Sequence, residues 1–169
     1  MSESQFKKSQ AIDIDGEEVI SPVLLKLLNS FPGLNGKQIL FSTLSDSSGI
    51  GFFPTSGAVI LSDTEDITGH VKQICLYPFS VVYRAAPASE TQKIRIKEFL
   101  DGIGKWLERQ PVVINNETVQ IKDYPALFKN RKMKSINRIS PSHLNAVYND
   151  GIEDWIISIS LKYECEFDK

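Results

Sequence analysis

The segment DWIISISLKYECEF, Asp154 to Phe167, is the feature that most restricts the fold. Trp155, Ile157, Ile159, Leu161, Tyr163, Cys165 and Phe167 share one parity, and Ser158, Ser160, Lys162, Glu164 and Glu166 take the other. A period of two held this long specifies a long strand with one face buried and one face wetter. Such a strand needs strands beside it and a layer over its apolar face. His70 to Ala85, with VKQICLYPFSVVYRA at its heart, is a second long strand candidate. It is rich in β-branched and aromatic residues on both alternating faces, the pattern of a central strand or an interface strand. Pro78 interrupts it and has no N–H to donate, so a bulge or an edge position, with a kink, is expected there.

The covering layer is legible as helices. Ser89-Glu90-Thr91-Gln92 combines a serine cap with a glutamine three residues on, a capping box. It opens a helix from Glu90 to about Arg109. Ile96, Phe99, Leu100, Ile103, Trp106 and Leu107 form one stripe, and Lys93, Lys97, Asp101, Lys105 and Glu108 take the other side. Ser21-Pro22 reads as a cap and first-turn proline for a shorter helix carrying Val23, Leu24, Leu27, Leu28 and Phe31, stopped by Pro32-Gly33. Ahead of it, residues 1–20 are polar and acidic and are expected to form a flexible N-terminal arm, leaving residues 21–169 as one domain.

Gln38 to Leu44 suits a strand. The DSSGIGFFPTSG stretch after it reads as a loop, Ala58 to Leu61 as a short strand, and ETVQIKDYPALF and KSINRIS as further extended segments. Strands around two helices, without a regular βαβ repeat, predict an α+β fold: an antiparallel or mixed β-sheet with two helices packed on one face.

Composition narrows function mainly by exclusion. The 169 residues include 19 basic and 21 acidic side chains, a net charge of −2 that gives the whole molecule no pull toward nucleic acid or anionic membrane. No apolar run approaches the roughly 20 residues of a membrane span, and the opening MSESQFKKSQ lacks the apolar stretch of a signal peptide. A cytoplasmic setting follows as an expectation. Cys75 and Cys165 belong to no CxxC or Cys/His cluster and read as buried reduced thiols. His70 and His143 stand apart from any metal or triad spacing. Gly49 and Gly51 lack the lysine and hydroxyl residue of a phosphate loop. No cofactor, metal or catalytic residue is therefore expected.

Two groups of residues point to surfaces instead. Lys129, Arg131, Lys132, Lys134 and Arg138 form the one dense basic stretch, suited to phosphate backbone or an acidic neighbour. Phe52 and Phe53, adjacent on a glycine-flanked segment, cannot both enter a core from a loop, so one is a candidate interface anchor. Tyr77, Phe79 and Tyr83 on the two-faced strand join them as candidates.

Three blocks in order resemble a family of small phage proteins of the head-to-tail connector region, known as tail terminator, tail completion or minor capsid proteins. They are the helix ending in FPGL (Phe31 to Leu34), the passage YPFSVVYRAAPASETQKIRIKEFLDGIGKWLERQP (Tyr77 to Pro111), and Asp154 to Phe167. The middle block is the most specific: an aromatic strand, a short polar break, then a helix ending in a Trp-Leu-Glu triplet before a proline. The arm before Pro22 and the insert from Phe128 to Tyr148 depart from the family's pattern.

The resemblance implies a structural virion protein that assembles in the host cytoplasm as a homo-hexameric ring. Such a ring ends polymerisation on the tail tube protein and docks to neck or connector proteins, with passing contact with DNA in the channel and no membrane contact. A head-completion or adaptor protein of the neck is the nearest alternative. A small hydrolase using the Gly49 to Gly57 loop with Asp63 and Asp66 is the alternative from another class.

Overall fold

The computed structural model describes residues 11–169. Its elements are α1 (Ile14–Asn29), a 3₁₀ turn (Pro32–Leu34), β1 (Ile39–Phe41), β2 (Gly49–Pro54), β3 (Val59–Glu65), β4 (His70–Ala85), α2 (Glu90–Leu107), β5 (Val112–Ile114), β6 (Glu117–Val119), β7 (Arg131–Arg138), β8 (His143–Val147) and β9 (Glu153–Asp168). The fold is α+β: a mixed seven-stranded sheet with two helices, plus the small β5–β6 hairpin.

The two long strands expected from alternation form the spine. β4 and β9 pair antiparallel from His70↔Asp168 to Ala85↔Glu153 without a register shift. On the outer edge of β4, β2 pairs residues 79–84 and β3 pairs residues 71–76. On the outer edge of β9, β7 pairs residues 159–165 and β8 pairs residues 153–156. β1 runs parallel to β2 and is the parallel pair that makes the sheet mixed.

Pro78 sits in this ladder without a bulge, opposite Ser160. Its carbonyl accepts the Thr55 N–H at 3.1 Å. A strand residue points its nitrogen and its carbonyl to the same side. The missing donor therefore faces the gap between β2 and β3, where no partner strand asks for it. Of the two expected positions, bulge or edge, the proline takes the edge: it occupies a short unpaired stretch inside an otherwise central strand.

One face of the spine carries Tyr77, Phe79 and Val81 against Leu161, Ile159 and Ile157, all fully buried. Each large apolar side chain removed from water there contributes about 1.5–3 kcal/mol. Both helices lie on this face. The Tyr77 phenol bonds the Ser21 hydroxyl of α1 at 2.7 Å, and Phe99 of α2 packs edge-on to Tyr83 at 5.4 Å between ring centres. α2 begins as its capping pattern predicts: Gln92 N–H donates to the Ser89 hydroxyl at 3.3 Å. The Gln92 side chain reaches back one residue further than a strict box and accepts the Ala88 N–H at 2.7 Å. The stripe Ile96, Leu100, Ile103, Trp106 and Leu107 is buried as expected.

Two further expectations are corrected. The arm was expected to reach residue 20, but residues 14–20 are the first turns of α1, whose cap is Asp13 rather than Ser21. Val19 and Ile20 are buried and continue the spacing of Leu24, Leu27 and Leu28. The acidic residues ahead of them, Asp15, Glu17 and Glu18, begin in its first turn, where the helix dipole favours negative charge. Pro22 is inside the helix, and the remainder of the arm, residues 1–10, lies outside the described residues.

The glycine-rich stretch contains a regular strand, β2, because pairing with β4 overrides its weak local preference. The insert from Phe128 to Tyr148 is part of the sheet, supplying β7 and β8 to the outer edge of β9.

Candidate functional site

Strand alternation decides where the candidate aromatics go. Phe52 turns into the core, where its ring meets Phe79 at 5.1 Å, while Phe53 turns to the opposite face and its ring lies over Gly51. Phe52, Tyr77 and Phe79 are buried and unavailable to a partner. Phe53 and Tyr83 stay half-exposed. Two adjacent aromatics do part company, as the sequence implied, but through a strand rather than a loop.

Alternation also divides the basic stretch. Arg131 faces the helices and clamps Asp13 with two bonds of 2.9 and 2.6 Å. Arg138 faces the same way and pairs with Glu108 at 2.8 Å. Lys134 turns to the other face and meets Glu164 at 3.1 Å, beside Lys72 at 3.3 Å. Lys129 and Lys132 are exposed and have no carboxylate partner among the described residues. The five basic residues thus do not form one patch, because a run of charge along a strand is dealt alternately to its two faces.

Asp13 joins three elements through one carboxylate. It accepts the Gly16 N–H at 3.1 Å as helix cap, the Arg131 guanidinium, and the Tyr163 phenol at 2.7 Å. Burial pushes its carboxyl up, but the hydrogen bonds from Arg131 and Tyr163 outweigh this and hold it below the usual carboxylate range. Burial pushes the Cys75 thiol up to about 11, and both cysteines are free and buried, as inert thiols should be. Asp63 lies on β3, and Asp66 in the β3–β4 turn, where it accepts the Thr68 and His70 N–H groups. Since β2 and β3 occupy different halves of β4, the Gly49 to Gly57 segment and these acids line no common site.

The face of the sheet away from the helices has not been singled out by any motif. It carries Ile74, Leu76, Pro78 and Val82 from β4, Ile156 from β9 and Phe53 from β2, all half-buried. Ser80, Ser158 and Ser160 run between them. The Ser160 hydroxyl is shielded from solvent and has no hydrogen-bond partner among the described residues, an uncommon state for a buried polar group in a finished fold. No described helix covers this apolar face. The signal for it was present in the β4 sequence, which is apolar on both parities.

Among the described residues no helix is long and apolar enough to cross a membrane. Compared with models of known protein families and with curated protein sequences, the chain matches none.

Proposed function

We propose that this chain is a structural assembly subunit of a phage tail, a tail terminator that caps the tail tube as a ring and docks to the head connector. The observation that carries the reading is the one-sided sheet. A face bearing Ile74, Leu76, Val82 and Ile156 with no described helix over it is suited to burial against a neighbouring protein. Termination of a polymer requires only such surfaces, a docking side and a side that rejects further addition.

The three blocks of the family resemblance also support it, because they build the core together. Phe31 of the FPGL block packs on Trp106 at 5.2 Å between ring centres. The aromatic strand and the terminal strand are β4 and β9. In the Trp-Leu-Glu triplet, Trp106 and Leu107 are buried and Glu108 accepts the Arg138 backbone N–H at 3.0 Å, joining the end of α2 to β7.

Leu76→Asp and Ile156→Asp test the proposal at the open face. Both side chains point away from the core, so each variant is expected to fold and yet to be missing from assembled particles. Normal incorporation of both would remove the open face from the account.

A further inference from the structure

The two ends of β4 differ in both shape and charge. At its start, the β3–β4 turn presents Ile67 with a relative exposure of 104 %. Asp63, Glu65 and Asp66 flank it on the hairpin, and pairing with β9 brings Glu166 and Asp168 alongside. Lys169 answers Glu65 at 2.9 Å, and the His70 ring lies 2.8 Å from Asp168 and 3.5 Å from Glu166. The five carboxylates outnumber these two partners, so the surround stays acidic. The turn is held in shape: the Asp66 carboxylate accepts the Thr68 N–H at 2.8 Å, the Thr68 hydroxyl at 2.6 Å and the His70 N–H at 3.1 Å. The turn thereby presents an aliphatic side chain at the apex of a projecting acidic knob.

At the other end of β4 lies a cleft of about 380 Å³ between that strand, the turn after α1 and the start of α2. This is within the roughly 300–1,000 Å³ of sites that hold small ligands or anchor side chains. Its floor is Leu34, Tyr83, Ile96 and Phe99, its rim carries Lys37 and Arg95, and no carboxylate lines it. Lys37 leans over the Tyr83 ring at 4.9 Å. Among the described residues neither cation pairs with a carboxylate.

Knob and cleft are complementary, an apolar tip within negative charge and an apolar floor within positive charge. Sixteen strand residues at about 3.3 Å each hold them roughly 50 Å apart, so a chain cannot fill its own cleft. We infer that the cleft receives the Ile67 turn of a second copy of this chain. Ile67 seats on Tyr83, Ile96 and Phe99, while the acids around it face Lys37 and Arg95. An apolar anchor enclosed by complementary charge is the usual layout of a binding hot spot. Because unlike ends meet, the contact is heterologous, and repetition closes a ring or extends a filament. The inference rests on the ring reading above and supplies its copy-to-copy contact.

Native mass spectrometry of the full chain over rising concentration tests it with two variants, Ile67→Ser at the knob and Lys37→Glu/Arg95→Glu at the cleft. All three positions are exposed, and circular dichroism melting checks that both variants fold. The wild type is expected to self-associate, and each variant alone to associate at least tenfold more weakly. An equimolar mixture of the two is expected to give 1:1 dimers and nothing larger, since it holds one intact knob for each intact cleft. Wild-type chain that stays monomeric to its solubility limit, or a mixture without dimers, overturns the inference. Rings that persist in both variants also overturn it while leaving the ring reading intact.

Discussion

Asp13 joins three parts of the molecule through one carboxylate, capping α1, pairing with Arg131 of β7 and accepting the Tyr163 phenol of β9. Asp13→Ala leaves a guanidinium buried without its partner, and unfolding by denaturant is expected to show a loss of about 3–5 kcal/mol. Adding Arg131→Met to it should cost less than the sum of the single changes, because the unpaired charge is then gone.

Asp13 and Asp154 also contribute to the acid limit of the fold. In Asp154 the Arg84 hydrogen bonds hold the carboxyl below its ordinary value, and Asp13 is depressed as described above. Groups with depressed folded values contribute stability that is complete above the ordinary value of about 3.9 and lost as the pH falls through the folded values. The denaturation midpoint should therefore be flat with respect to these groups above about pH 5 and fall below about pH 4, with a shallower fall in Asp13→Asn.

Gly16 marks how closely α1 approaches this network. An added Cβ would sit 2.6 Å from the Tyr163 hydroxyl and against the Asp13 carboxylate. Gly16→Ala is expected to destabilise the fold despite alanine's helix preference of about 1 kcal/mol. None of this was legible in the sequence, where Asp13 belongs to an acidic run and Arg131 to a basic run, 118 residues apart. Charge runs show composition, whereas pairing depends on which face each residue takes.

The long elements were located correctly. β9 and α2 repeat their period long enough for burial to dominate local preference, and β4 shows as a long run of β-branched and aromatic residues. The start of α2 rests on a local signal, and Ser89→Ala is expected to cost about 1 kcal/mol in a thermal or denaturant melt by removing the bond to Gln92. β2 and β8 escaped detection for physical reasons. β2 is a six-residue strand opened by glycine that exists by pairing with β4. β8 is a five-residue edge strand, almost wholly exposed and bulged between Leu144 and Ala146, so it has no apolar alternation to read. The first turns of α1 were obscured because acidic residues separate Val19 and Ile20 from the cap, although their spacing to Leu24 and Leu27 is helical. The open sheet face required the β4–β9 register, since only pairing puts Val82 beside Ile156.

Among the described residues the layers are asymmetric: helices close one side of the sheet, and the other side keeps aliphatic residues without a covering helix. The long spine adds a second asymmetry, with an acidic knob at one end and a basic cleft at the other. Both features suit a subunit whose work is done by its surfaces, and the proposal puts that work at the end of a phage tail tube. The most direct measurement is electron microscopy of particles produced with a stop codon in the reading frame of this chain. The account predicts overlong tubes or finished tails that fail to join heads. Tails of normal length on leaking heads would move the subunit to head completion, and particles indistinguishable from wild type would contradict the account.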